Sequence, residues 1–165
     1  MAHRYFTEAE NREFYASRPQ KVVGVMVVCR DPEGRVLIVK PSYKPGWNLV
    51  GGFVDTGESP FSAALREMHE EIGLKLPDDR LSLLGVQYLP PVKFGEFLRI
   101  MFVANLTTDE VAGIRLQSDE IEEHRFVTMS NLEQYNERPV IDAARALLAQ
   151  DQPGYVENRT LRGAL

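Results

Sequence analysis

The chain of 165 residues holds one cysteine, Cys29, one tryptophan, Trp47, and three histidines. A single cysteine excludes an internal disulfide and a cysteine-rich zinc site, and it fits a reducing compartment, so a cytoplasmic location is expected. No apolar run approaches the ~20 residues of a membrane span. The polar start, MAHRYFTEAENR, does not read as a signal peptide, so no membrane partner is expected. Basic excess is missing too. The formal net charge is −5, which makes nucleic acid an unlikely main partner. Repeats and low-complexity tracts are absent. With 44% hydrophobic and 26% charged residues, the chain instead has the make-up of one globular domain large enough for a real core.

What the chain does have is concentrated between Gly52 and Leu74, which reads GFVDTGESPFSAALREMHEEIGL. At 3.6 residues per turn, Glu67, Glu70 and Glu71 share one helix face roughly 100° wide. Phe61, Ala64, Leu65, Met68 and Ile72 form the neighbouring apolar face, the spacing of a helix docked on a core. Ser59 suits the N-cap, Pro60 the first helical position and Gly73 the position past the C-terminus. Gly51, Gly52 and Gly57 make a loop in which a ligand can approach bare backbone. Two carboxylates at helix spacing repel by about 3 kcal/mol at an effective dielectric of 20. Nearby cations must offset that: either Arg66 and other basic side chains on a solvated face, or a hard divalent ion with a liking for oxygen ligands. Spacing alone leaves both open.

The whole stretch resembles the Nudix box, G-x5-E-x7-R-E-U-x-E-E-x-G-U with U a bulky aliphatic residue. Gly52, Glu58, Arg66, Glu67, Met68, Glu70, Glu71, Gly73 and Leu74 fill its specified positions. A chance match has a probability on the order of 10⁻⁹ or less. The resemblance implies an α/β fold, an α/β/α sandwich with a mixed sheet between helices. It implies hydrolysis of a nucleoside diphosphate linked to another group, with Mg²⁺, or Mn²⁺ in its place, as cofactor. On this chain it makes Glu67, Glu70 and Glu71 metal ligands, with one of Glu70 or Glu71 as base or water holder. Gly52 would let backbone carbonyl near the metal. Arg66 would orient a glutamate, and Glu58 would brace the loop. Family members commonly carry proline before the paired glycines; Val50 stands here, so a more mobile loop is expected.

The remaining pattern fits such a fold. A capping box at Thr7 and Glu10 predicts a helix over Thr7–Ala16, whose Phe6, Phe14 and Tyr15 would pack on the domain or, as a homodimer contact, on a second subunit. Residues 21–30 and 35–40 are β-branched runs around the turn Asp31-Pro32-Glu33-Gly34, a β-hairpin. Residues 41–50 form a loop leading into a short strand. Leu81–Tyr88 and Phe97–Asn105 read as strands joined by a loop over 90–96; residues 106–118 read as loop, and the acidic run from Ser118 leads into a final strand ending at Val127. Residues 139–150 form an amphipathic helix. Three parts are expected: an N-terminal extension, 1–20; a Nudix domain, 21–150; and a loosely held polar tail, 151–165.

Many family members add an acid from a distant loop. Among Asp119, Glu120, Glu122 and Glu123, Glu120 is favoured as catalytic by its place before the last strand; His124 beside it is a weaker base candidate. For a small-molecule nucleotide substrate, Lys40 is a phosphate candidate, while Trp47, Tyr88, Phe94 and Arg99, with Tyr43, could stack on a base or grip a phosphate. Pro90, sixteen residues past Leu74, resembles the ADP-ribose pyrophosphatase subgroup. The arrays of NADH pyrophosphatases and isopentenyl diphosphate isomerases are missing. A sugar nucleotide or nucleoside triphosphate stays open as substrate. Two other classes compete with a hydrolase: a sensor module on the same scaffold, which would tend to lose the box carboxylates that this chain keeps, and a structural protein with a merely solvated acidic helix.

Overall fold

The computed structural model describes residues 6–92, 95–135 and 139–164. Its elements run α1 (Glu8–Ala16), β1 (Val22–Arg30), β2 (Val36–Pro41), α2 (Pro60–Ile72), β3 (Leu81–Val92), β4 (Gly95–Asn105), α3 (Thr108–Gly113), β5 (Ile121–Val127), α4 (Pro139–Leu148), β6 (Gly154–Glu157) and β7 (Thr160–Ala164). Seven strands form one mixed sheet in the order β5-β2-β1-β4-β3-β6-β7. β1 with β4 and β3 with β6 are parallel, and the other pairs are antiparallel.

Strand alternation divides the core. Val25, Val27, Leu37 and Val39 face α2 through its Ala63, Ala64, Met68 and Ile72. Met26, Val28, Val36 and Ile38 face α4 through Val140, Ile141, Ala144 and Leu147. Because both faces of β1 and β2 are covered, their sequences read as continuous apolar runs. This is the α/β/α sandwich with a mixed sheet that the resemblance implies.

The hairpin of β1 and β2 is closed only at its tip, where Arg30 faces Val36 and the Asp31 carboxylate accepts the Arg35 N–H at 2.7 Å. Beyond the tip the strands splay, and residues 48–54 wedge between them. Val27 N donates to Val50 O, Val25 N to Gly52 O and Val39 N to Asn48 O, each at 2.8 Å. Val50 itself is fully buried. Proline is therefore not needed to hold this segment, because the ladder on either side does so.

Cys29 lies inside this central layer with no exposed surface. Burial, helped by the charge of Glu71, pushes its thiol up to about 12, so no thiolate forms near neutrality. The folded protein is expected to leave DTNB unreacted at pH 8 and to react once denatured. Prompt native labelling would contradict this placement.

Several elements differ from the sequence expectation. The tail from Asp151 is not loose: β6 pairs with β3 and β7 pairs with β6, and Val156 is fully buried in the α4-side core. β5 is thus not the last strand. β3 runs on through Pro90 and Pro91 to Val92, its register shifting between Leu89 and Val92. Such an irregularity accepts proline because no regular ladder bond is lost. Residues 106–118 contain α3, started by a capping box of Thr107 and Glu110, and the helix foreseen to 150 ends at Leu148. α1 keeps its predicted capping box but buries no residue on the domain. Its aromatics instead meet one another, with Phe6 stacked on Phe14 at 6.5 Å.

Candidate active site

α2 is held at both ends. The Ser59 hydroxyl accepts the Ser62 N–H at 3.1 Å, and Gly73, with φ 73°, donates its N–H to His69 O at 3.0 Å. That left-handed closure needs glycine. So fixed, the helix turns Glu67 and Glu71 inward, 9% and 6% exposed, while the Glu70 side chain stays 46% exposed.

Arg66 ties the acids together. Its Nε and Nη2 donate to the two Glu58 oxygens at 3.0 Å. Nη1 donates to Glu67 at 2.7 Å and Glu70 at 2.9 Å, and Nη2 reaches Phe53 O at 3.0 Å. Only a guanidinium fork can span so many acceptors. Glu58 also accepts the Asp55 N–H at 3.2 Å, so it joins the loop to the helix, and Arg66 holds its carboxyl below the usual range.

Gly51 donates its N–H to Glu71 Oε2 at 2.9 Å. A Cβ on Gly51, which has φ 143°, would sit 2.2 Å from Val25 O; only glycine fits between β1 and the acid. On Gly52 a Cβ would lie 2.3 Å from Glu67 Oε1. The Gly52 carbonyl accepts the Val25 N–H and keeps a second lone pair, while the missing side chain leaves room for Glu67. Burial pushes the Glu71 carboxyl up to about 8; the Gly51 N–H opposes this, and Glu67 and Glu120 add to it. Burial likewise raises Glu67, against the pull of Arg66.

These groups line a cavity of about 540 Å³, a size suited to a small ligand. Arg66, Glu67 and Glu71 come from α2, Gly51, Gly52, Phe53 and Asp55 from the wedge and the loop after it, and Glu120 from the turn before β5. Met26, Phe97, Arg99, Pro139 and Val140 complete it from the α4 side, with Tyr43, Lys44 and Asn48. Phe53 and Phe97 meet edge to face at 5.8 Å. The buried Asn48 Oδ1 has no hydrogen-bond partner among the described residues.

The structure therefore brings Arg66, Glu67, Glu71, Gly52, Glu120, Arg99 and Tyr43 to one pocket, with Glu58 and Glu70 joined to it through Arg66. Other candidates lie elsewhere. Lys40 pairs with Glu122 of the neighbouring β5 at 2.8 Å and does not line the cavity. Trp47 packs its edge on Tyr135 at 5.6 Å beneath the Arg125 guanidinium. Tyr88 donates its hydroxyl to Glu96 at 2.6 Å. His124 packs on Phe126 at 6.3 Å, and Phe94 lies outside the described residues. Asn48, Phe53, Phe97 and Lys44 went unnoticed, although Phe53, a large apolar residue directly after the paired glycines, was a legible signal.

A mixed sheet between helices, with a glutamate-bearing helix facing a glycine loop, is the frame that carries these groups. The chain belongs to the NUDIX domain family, whose model matches residues 20–149. It is similar to the octanoyltransferase of Myxococcus xanthus, 35% identical over 101 residues, 59% of this chain and 27% of that protein. It is also similar to the ADP-ribose pyrophosphatase of Methanocaldococcus jannaschii, 33% identical over 107 residues, 62% of this chain and 59% of the other. Among solved structures, the NUDIX domain of Shewanella oneidensis NrtR complexed with ADP ribose superposes with a TM-score of 0.65 at 21% identity, covering 87% of this chain and 100% of that one. The chain spans 27% to 35% of the length of several curated relatives. Among the described residues no helix is long and apolar enough to cross a membrane.

Proposed function

We propose that the chain is a metal-dependent pyrophosphohydrolase cleaving a phosphoanhydride bond of a nucleoside diphosphate linked to another moiety, with ADP-ribose as the first substrate to test. The observation that carries this reading is the convergence of Glu67, Glu71 and Glu120 on one cavity beside Arg66. Among the described residues no three acids form a ready-made metal cage. The donors are nonetheless of the right kind: crowded carboxylates, two of them buried, with proton affinities raised chiefly by that burial. Glu67, Glu70 and Glu71 would hold Mg²⁺, with Mn²⁺ able to stand in. When bound, the ion would neutralise phosphate charge and acidify water.

The chain's own groups supply position and proton transfer. Arg66 fixes the rotamers of Glu67 and Glu70, and Gly51 fixes Glu71. Water attacks one phosphorus as the bond to the bridging oxygen breaks. Glu120, which has no ion pair among the described residues, is the carboxylate on the cavity rim assigned to take the water proton. Phe53 and Phe97 offer faces for a base, and Asn48 Oδ1 offers an acceptor for a donor on the nucleoside.

ADP-ribose is favoured by the Pro90 spacing and by the names of two similar proteins; nucleotide sugars and nucleoside triphosphates complete the panel. Release of phosphate after coupling to a phosphatase, with Mg²⁺ and then Mn²⁺, is expected for one member and is expected to stop with EDTA. Thermal stabilisation by ADP-ribose without release from any member would instead indicate a binding module.

A further inference from the structure

Gln87 sits at the centre of β3 with no exposed surface, an expensive place for an amide unless every polar atom is used. All are used. Nε2 donates to Pro139 O at 3.0 Å and to Asn158 O, while Oε1 accepts from Arg99 Nη1. Two carbonyls on one side can be met only by the NH₂ group, so the amide has one possible orientation and its oxygen must face Arg99. Arg99 is directly cross-strand from Gln87, its guanidinium lies 5.3 Å from the Phe97 ring centroid, and it lines the cavity.

The third contact comes from outside the family domain. Asn158 lies in the turn between β6 and β7, beyond the residues 20–149 that match the family model. Its backbone is left-handed, φ 57°, the one such non-glycine among the described residues. Asparagine tolerates that conformation better than most residues. The turn is pinned by Asn158 N donating to Tyr88 O at 2.7 Å, which leaves its carbonyl turned onto Gln87.

We propose that Gln87, gripped by the β6–β7 hairpin, is a positioning residue that aims Arg99 into the cavity, making residues 154–164 part of the substrate-selecting apparatus. The group so read is oxygen-rich, hydroxyls or phosphate oxygens on the half of the substrate away from the acids, since a guanidinium donates only. This rests on the hydrolase reading for its kinetics and not for its geometry, so two readouts are needed. The first is steady-state hydrolysis of ADP-ribose. Gln87→Met is expected to raise KM by about tenfold or more, as for a lost contact to a charged group, with kcat little changed. Arg99→Ala should do the same, and the double variant should be no worse than Arg99→Ala alone. The second readout is the Arg99 Nε–Hε resonance, assigned by its loss in Arg99→Ala. It should move in Gln87→Met and, less far, in Asn158→Ala, which keeps the carbonyl but disfavours the left-handed turn that aims it, and which serves if the first variant is too unstable. A resonance unmoved in both folded variants, or KM effects that multiply in the double variant, would overturn the proposal. If the parent hydrolyses no nucleotide, the functional reading fails while the resonance still decides the positioning.

Discussion

Glu71→Gln is expected to lower hydrolysis by about 10³-fold, the scale of losing one electrostatic group from a reaction centre, while the fold survives. The amide has the shape of the acid and its oxygen can still accept the Gly51 N–H, which now sits at 2.9 Å from the carboxylate. What disappears is a negative charge in a recess shared with Glu67 and Glu120. Burial disfavours that charge and pushes the Glu71 carboxyl up to about 8. The variant's melting temperature in EDTA should therefore equal or exceed the parent's. Adding Mg²⁺ should raise the parent's melting temperature and leave the variant's nearly unchanged. Parent-like turnover by a well-folded variant would remove Glu71 from the mechanism.

Arg66→Ala should hurt stability and activity together. Its loss strands Glu58, Glu67 and Glu70, whose side chains are 17%, 11% and 46% exposed, and frees the Phe53 carbonyl as well. Full burial would put the cost at several kcal/mol; discounting for partial exposure, about 2 kcal/mol is expected from urea unfolding. Turnover should fall by about 10²-fold, the usual effect of removing a group that orients metal-binding side chains. Arg66→Lys should recover little, because one ammonium cannot serve two Glu58 oxygens and two further acids at once. Millimolar Mg²⁺ should narrow the stability gap in Arg66→Ala. An unchanged urea midpoint would mean that the ion pairs contribute nothing.

How much of this was readable depends on whether the information is local. The box was legible because caps, apolar stripe, acids and guanidinium all lie within one short stretch, where helix periodicity alone fixes their faces. The elements of the sandwich were legible because β1, β2 and α4 carry patterns tied to their own burial; their arrangement came from the resemblance. Pocket membership outside the box was not. Lys40, Trp47 and Tyr88 have the right chemistry, yet Glu122, Tyr135 and Glu96 claim them, and those partners are set by strand pairing across long sequence distances. Arg99 and Tyr88 are on the same pair of strands, and only register decides that one lines the cavity. The β6–β7 hairpin was missed because each strand is short and polar at alternate positions, and its turn residue, Asn158, carries no proline or glycine signal.

The splayed hairpin has a consequence for how the site comes into being. Residues 48–54 cannot find their place until β1 and β2 are both laid down, for the gap they fill does not exist in either strand alone. Gly51 and Gly52 are thus placed by the middle of the sheet rather than by their own loop, and Glu71 receives its backbone partner only then. Local opening of the loop would have to unzip the ladder between two central strands, which ranks with the costliest openings a domain has. The acid-lined pocket should accordingly appear late in folding and vanish all at once, without a partly formed intermediate.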